Sequence, residues 1–487
     1  MRRRLLANPA LSSPASDAQP EVTGLVTRFD AVRAELKVPE AFGDGVLAEA
    51  RAAVPSSEGR VDLTDLPFVT LDPAGSTDLD QAMVLSRRGD GFHVDYAIAD
   101  VPAWLAPSGA VAAEAMRRGQ TVYAPDRRTG LHPPVLSEDR ASLLPDGDRP
   151  ALVWRFDLAG DGSVTTFDVV RATVRSRAQL DYASVQAALD GSGPAELAEL
   201  GGLLREIGSA RQALEVARGG ASLPLPEQEV LTDDAAPLGF VLRLRPPRPV
   251  EDWNAQLSLM TGIAAAELML KGRVGVLRTL PPADRGALGA VRRLAKRVGV
   301  EWPDDEPYGA MLRRLDVGVP QHLALLHAAG SLFRGSAYVP FDGVVPTAPM
   351  HAAVAAPYAH VTAPLRRLVD RFGLEAAYCV ARGLDVPDWV RAGLPLLPEA
   401  MSTSERLAGE VDRRCVDVVE AALLEGRVGE SFPAVVVEAD KDGDGGRVQL
   451  VEPPVVARCT GPLVAGTVVA ARLTEADPDT ATTRFAV

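Results

Sequence analysis

Phe68-Val69-Thr70-Leu71-Asp72-Pro73-Ala74-Gly75-Ser76-Thr77-Asp78-Leu79-Asp80-Gln81-Ala82-Met83-Val84-Leu85 is the stretch on which the reading of this chain turns. Apolar runs enter and leave it, and a bend rich in Pro and Gly lies between them. That pattern predicts two short strands joined by a loop. Asp72, Asp78, Asp80 and Gln81 stand on the loop. Three carboxylates so close repel each other unless a cation or a proton intervenes. A hard divalent cation with oxygen ligands, Mg²⁺ or Mn²⁺, is the natural answer. The bland alternative is a solvated acidic turn, which the flanking apolar runs disfavour. Asp78 and Asp80 are two residues apart, so on an extended chain they project to the same side. Asp72 returns to them across the bend. Such a loop can hold metal for in-line displacement at phosphorus, which makes the reaction class metal-assisted phosphoryl transfer.

Working outward, Tyr96-Ala97-Ile98-Ala99-Asp100-Val101 follows as a second strand. Far downstream stands Tyr358-Ala359-His360-Val361-Thr362-Ala363-Pro364-Leu365-Arg366-Arg367. Together these residues resemble the RNB exoribonucleases, the ribonuclease II / ribonuclease R family. The family signature is an Asp, a six-residue step to a second Asp, then Asp-Asp-Ala after one apolar residue. Asp72, Asp78, Asp80 and Ala82 match it, and Gln81 stands where the fourth Asp is usual. The late segment is similar to the family's Tyr-x-His-Phe-Thr-Ser-Pro-Ile-Arg-Arg. Between the two, Gly119 to Asp126 and Val174 to Tyr182 resemble segments that carry substrate-facing tyrosines, Tyr123 and Tyr182.

The resemblance implies an α+β catalytic RNB domain, a mixed sheet surrounded by helices, followed by a small all-β OB-fold barrel of the S1 type. It implies a metal-dependent hydrolytic 3′→5′ exoribonuclease that takes single-stranded RNA to nucleoside 5′-monophosphates. Asp80 and Arg366 would be catalytic, and Asp72, Asp78, Asp80 and Gln81 would hold Mg²⁺ or Mn²⁺. Tyr123, Tyr182, Arg366, Arg367, Thr362 and His360 would contact RNA. An arginine fork suits charge on non-bridging phosphate oxygens. Three departures matter. Gln81 is neutral, so on charge alone Gln81→Asp should lower the metal requirement. The family's Val-Glu-Glu reads Val250-Glu251-Asp252-Trp253-Asn254-Ala255-Gln256 here, and either Glu251 with Asp252 or Asn254 with Gln256 takes its place. The stretch before the loop is too short for the tandem cold-shock barrels of well-known members. A catalytically impaired RNA-binding protein on the same scaffold is the alternative.

Composition sets the outer limits. The net charge of −14 argues against sequence-independent nucleic-acid binding over the whole surface. Arginine pairs at 117–118, 127–128, 313–314 and 366–367, with a cluster over 243–248, are compatible with a phosphate track or with ordinary solubilising charges. Cys379, Cys415 and Cys459 are far apart and make neither a zinc spacing nor a disulfide framework. No apolar run is long enough for a transmembrane helix, so the expectation is a cytoplasmic protein with no membrane and no obligate protein partner. The expected organisation is a disordered tail over 1–25, a short helical segment over 26–61, the catalytic domain over 62–400, a helical connector over 401–427 and the barrel over 428–487. Only Phe432 and Phe485 supply aromatic rings to that barrel. Base stacking needs exposed rings, so its grip on nucleic acid is expected to be weak.

Overall fold

The computed structural model describes residues 2–5, 20–233, 235–441 and 443–487, with side chains described from residue 24 onward. Its centre is a six-stranded mixed sheet in the order Val61–Asp62, Val164–Asp181, Phe68–Asp72, Gln81–Arg88, Gly91–Ala99, Asp148–Leu158. The sheet returns on itself. Ala172 pairs with Val61 along one edge and with Ala151 along the other, so the long strand Val164–Asp181 joins both ends. Gly91–Ala99 is covered on both faces, and a doubly covered strand reads as a nearly continuous apolar run rather than an alternating one.

Helices supply the cover. Pro249–Gly272 and Leu368–Arg382 pack on the sheet through Leu257, Met260 and Phe372, against Trp154, Phe156 and Tyr96. Each such ring or branched side chain stabilises the fold by about 1.5–3 kcal/mol when fully buried. The helix Leu397–Leu424 then runs to a closed five-stranded barrel, ordered Ser431–Ala439, Gly445–Leu450, Val456–Thr460, Thr482–Ala486, Val468–Asp477. The α+β domain followed by a small all-β barrel is thus the architecture. Phe432 and Phe485 meet edge to face inside that barrel, both buried, so neither is available as a stacking platform.

The helix Pro20–Glu35 buries Leu25, Phe29 and Val32 in a cluster shared with the long helix and the barrel. Arg2–Leu5 runs parallel to Glu227–Thr232. The tail expected over 1–25 therefore lies partly outside the described residues (1 and 6–19), and the remainder forms a strand and the start of a helix. The helical segment expected over 26–61 covers most of this helix, and its start falls in the stretch expected as tail, because the apolar residues there are buried by distant parts of the chain, Phe240 and the long helix among them. No helix among the described residues is long and apolar enough to cross a membrane. The three cysteines are free and buried.

Candidate active site

Asp72 ends the strand Phe68–Asp72, and Gln81 begins the strand Gln81–Arg88. Between them the chain turns through Gly75 at φ +80°, a left-handed value at which a side chain would be strained. The loop is pinned from several sides. Ser142 Oγ accepts from Leu79 N–H (2.9 Å) and donates to Thr77 O (2.7 Å), and Gln179 donates to Ser76 O (2.6 Å).

The segment Thr362–Arg367 comes to this loop from the far side of the sequence. Leu365 N–H donates to Asp80 Oδ1 at 2.7 Å, and Arg366 Nε lies 3.2 Å from Asp80 Oδ2. Asp80 is 2% exposed, whereas the Arg366 side chain is 44% exposed. The carboxylate therefore sits beneath the guanidinium and aims it outward. Asp370 does the same for Arg367, chelating Nε and Nη2 while its Oδ1 also accepts from Ala363 N–H. A short ladder adds a third strand of chain: Gln120 bridges Arg367, Thr121 N–H donates to Arg366 O, and Leu368 N–H donates to Gly119 O, the last two at 2.9 Å. That ladder delivers Tyr123, whose hydroxyl donates to Asp78 Oδ2 at 3.1 Å. Arg128 reaches Asp78 Oδ1 at 2.7 Å and is itself held by Glu138.

The result is a cavity of about 480 Å³ whose wall includes Asp72, Asp78, Tyr123, Arg128, Arg366 and Arg367, with Glu405 and Asp412 of the long helix. Burial raises the Asp80 pKa well above the ordinary carboxylate value. Asp78 and Asp370 add to this, and Arg366 and the Leu365 N–H oppose it. Partial desolvation by the surrounding wall works against the charge on Arg366, but Asp80, Asp78 and Asp72 more than offset it and raise its pKa. Burial also raises the Tyr123 hydroxyl, with Asp78 adding, so this phenol is a hydrogen-bond donor and not a base.

Of the residues singled out by sequence, Asp72, Asp78, Tyr123, Arg366 and Arg367 line the cavity together. Asp80 is buried behind the wall. Gln81 is turned inward: its Nε2 donates to Thr362 O at 2.5 Å and its Oε1 accepts from Tyr96 at 2.6 Å. Thr362 is buried, and its carbonyl takes that bond. His360 sits between Tyr338 and Tyr358, bonded to the Tyr338 hydroxyl at 2.8 Å, and burial holds its pKa far below the ordinary imidazole value. Tyr182 packs on the main core, and its hydroxyl accepts from Asn254 at 3.1 Å. Glu251 is bonded to Arg245 at 2.5 Å, and Gln256 to Glu215 at 2.7 Å. Asn254 is thus the member of that group bonded to Tyr182, away from the cavity wall.

The arginine pairs do not make a track. Arg117 and Arg118 bond Glu114, Arg127 bonds Asp30 and Glu40, Arg245 bonds three glutamates, and Arg314 bonds Glu306. The cations that reach the cavity are Arg128, Arg366 and Arg367. Arg128 was signalled only as one of several arginine pairs, and Glu405 and Asp412 carried no sequence signal as site residues, because charged residues on a strand edge or a helix look like surface in one dimension.

A divalent cation fits here only in one form. Among the described residues no three His, Cys, Asp or Glu side chains converge as a cage. Magnesium rarely uses one; it takes one or two carboxylates and fills the rest of its shell with water and substrate phosphate. Asp72 and Asp78, both on the cavity wall beside Arg366, suit that role. Gln81 does not line the cavity, and both ends of its amide are held by Thr362 and Tyr96.

The RNB domain model matches residues 60–372, well over half of the chain, and the model of the RNase II-type exonuclease C-terminal S1 domain matches 430–487. The chain belongs to the RNB family. Among curated RNB relatives, ribonuclease R of Vibrio parahaemolyticus is 26% identical over 431 residues, which is 82% of this chain and 49% of that protein. Ribonuclease R of Aquifex aeolicus is 25% identical over 454 residues, 88% of this chain and 63% of that one. The chain thus spans about half to two thirds of the relatives it matches. RNase R of Mycoplasma genitalium, solved with ribose-methylated single-stranded RNA, superposes with a TM-score of 0.84 at 17% identity, over 95% of this chain and 78% of that one. Yeast Ssd1, described as a pseudonuclease, superposes at 0.70 with 15% identity, over 94% and 57%. The RNB fold by itself therefore does not decide activity.

Proposed function

We infer that this protein is a hydrolytic 3′→5′ exoribonuclease of the cytoplasm, removing nucleoside 5′-monophosphates from single-stranded RNA with the help of Mg²⁺ or Mn²⁺. The observation that carries this reading is the meeting of Asp80 and Arg366, 3.2 Å apart, beside a cavity that also presents Asp72 and Asp78. The scissile phosphate would lie against the exposed Arg366 guanidinium, with Arg367 next to it. Charge developing on the non-bridging oxygens would be met by N–H groups already fixed by Asp80 and Asp370, so little reorganisation accompanies the reaction. A divalent cation bound at Asp72 and Asp78 would supply further positive charge and make a nearby water more acidic. Tyr123, held to Asp78, would form the wall for the last nucleotide. A cavity of about 480 Å³ admits splayed nucleotides and not a duplex, which favours single strands. The expected domain limits, 62–400 for the catalytic part and 428–487 for the barrel, belong to this reading.

The competing reading is an RNB-scaffold RNA binder without catalysis. The absence of a fourth carboxylate and the engagement of Asp78 and Asp80 by Arg128 and Arg366 favour it. One experiment separates the two. The purified protein is incubated with 3′-labelled single-stranded RNA in Mg²⁺, in Mn²⁺ and in chelator, alongside Asp80→Asn. Metal-dependent release of labelled mononucleotide that disappears in the variant supports the nuclease. Tight RNA binding without release in every condition supports the binder and ends the nuclease reading.

A further inference from the structure

A second cavity, of about 630 Å³, shares no lining residue with the aspartate cavity. It forms where Ser56–Arg60 and Pro102–Pro107 meet the helix Leu368–Arg382 and Trp389. Three arginines line it. Two of them are already matched. Arg60 Nη2 lies 2.7 Å from Asp100 Oδ2, and Arg171 shares Asp100 and also bonds Glu375. Asp100 is fully buried behind them.

Arg371 is different. It is 3% exposed, and its Nε has no hydrogen-bond partner among the described residues. Its guanidinium lies 4.6 Å from the centre of the Trp389 ring and 5.6 Å from that of Phe372. Aromatic faces attract a guanidinium but leave its in-plane N–H groups without acceptors. Burial pushes the Arg371 pKa down to about 10, and Glu375, one turn along the helix, is the charge that opposes this. A buried cation left in that state is unfavourable, and an anion at its N–H edge relieves it. Two carboxylates, Glu58 and Glu375, lie on the same wall and would oppose an anion. Glu375 is spoken for by Arg171, and Glu58 is exposed at the rim.

We propose that this cavity is a binding site for a small phosphomonoester, its oxyanion held in the plane of the Arg371 guanidinium and its organic part lying along Tyr378, Leu384 and Trp389. The volume is that of a small-molecule pocket and exceeds what a bare phosphate needs. A fork of N–H donors favours an oxyanion over a spherical one. This cavity and the aspartate loop share no residue, so binding here is independent of whether the protein cleaves RNA.

The test is calorimetric titration of the full chain with AMP, adenosine serving as the uncharged control. Saturable binding of AMP and not of adenosine is expected. Arg371→Met should weaken AMP by about tenfold or more, the scale of a charge-assisted pair lost. The same variant should melt no lower than the parent without ligand, because it removes an unmatched buried charge. Glu58→Gln, at an exposed rim position, should tighten AMP and cannot be confused with a folding defect. In an Arg366→Gln background, which disables the aspartate cavity as a second place for a nucleoside monophosphate, saturable AMP binding should persist and should still be weakened by Arg371→Met. No saturable AMP binding, equal binding of adenosine, or AMP affinity lost in Arg366→Gln and kept in Arg371→Met would each overturn the proposal.

Discussion

Gln81 offers the sharpest test of how this site is built. Its carboxamide is a two-ended tie: Nε2 to Thr362 O at 2.5 Å on the loop that carries Arg366, and Oε1 to Tyr96 at 2.6 Å in the sheet. Gln81→Glu keeps length and shape but removes the donor, so a carboxylate oxygen would face the Thr362 carbonyl. Leaving a part-buried acceptor unmatched costs about 1–3 kcal/mol, or roughly five- to 150-fold in the population of the aligned loop. The deficit has a characteristic pH dependence. Facing a carbonyl favours the protonated acid, so the folded pKa of Glu at position 81 would be raised. A protonated Glu donates to Thr362 O again, and the unfolded chain gains nothing comparable. The loss in stability and rate should therefore be largest near pH 8 and shrink toward pH 5. Gln81→Asp should be worse at every pH, because the shorter arm cannot reach both partners. It should not lower the metal concentration needed for half activity, which reverses the expectation from charge alone. The assay is thermal melting and mononucleotide release across pH and Mg²⁺ concentration. A Gln81→Asp protein of parental stability that works at lower Mg²⁺ would refute the tie and make position 81 a ligand position.

Three further outcomes follow from the same geometry. Asp80→Asn and Arg366→Gln should each lower the release rate by about a hundredfold or more, and the double variant should be no worse than either, because the pair acts as a unit; a multiplicative double variant in the rate assay would show two independent roles. Gly119→Ala should lower the melting temperature and the rate, since Gly119 sits at φ +71° and a Cβ there would lie 2.4 Å from Ser404 Oγ and 2.8 Å from Ala400 O; an unchanged melting curve would show that the long helix gives way freely. Burial and the Arg371 charge lower the His132 pKa from 6.5 to about 3. The unfolded chain thus binds a proton that the fold refuses, and stability should fall as pH drops from about 6.5 toward 3; His132→Gln should flatten that fall in urea titrations, and an unaltered slope would assign it to other groups.

Much of the fold was legible because it rests on local pattern. The apolar runs around the aspartate loop are strands, the Ala- and Leu-rich stretches after 184 and 251 fall in the helices Tyr182–Leu189, Ala195–Ala217 and Pro249–Gly272, and the closing Val-rich segments form the barrel. The helix Pro20–Glu35 was legible over 26–35 but not at its start, because the apolar residues there make sense only against Phe240, Leu397–Leu424 and the barrel. Which of the arginine pairs reach the site was not legible, because an ion pair is a property of two positions, and the partners of Arg127 are Asp30 and Glu40 from a distant segment.

By itself the sequence determined which groups could do the chemistry: the spacing of Asp72, Asp78 and Asp80, and an arginine after Thr362-Ala363-Pro364, are covalent facts. Tertiary structure alone decided which way those groups face. Asp80 points under Arg366 and not into the cavity, Gln81 spends both ends of its amide on Tyr96 and Thr362, and Arg371 is buried with its Nε–H unanswered among the described residues. The physical reason is that a polar side chain takes its direction from whatever donor, acceptor or charge folding brings within about 3 Å, and those neighbours come from segments hundreds of residues apart.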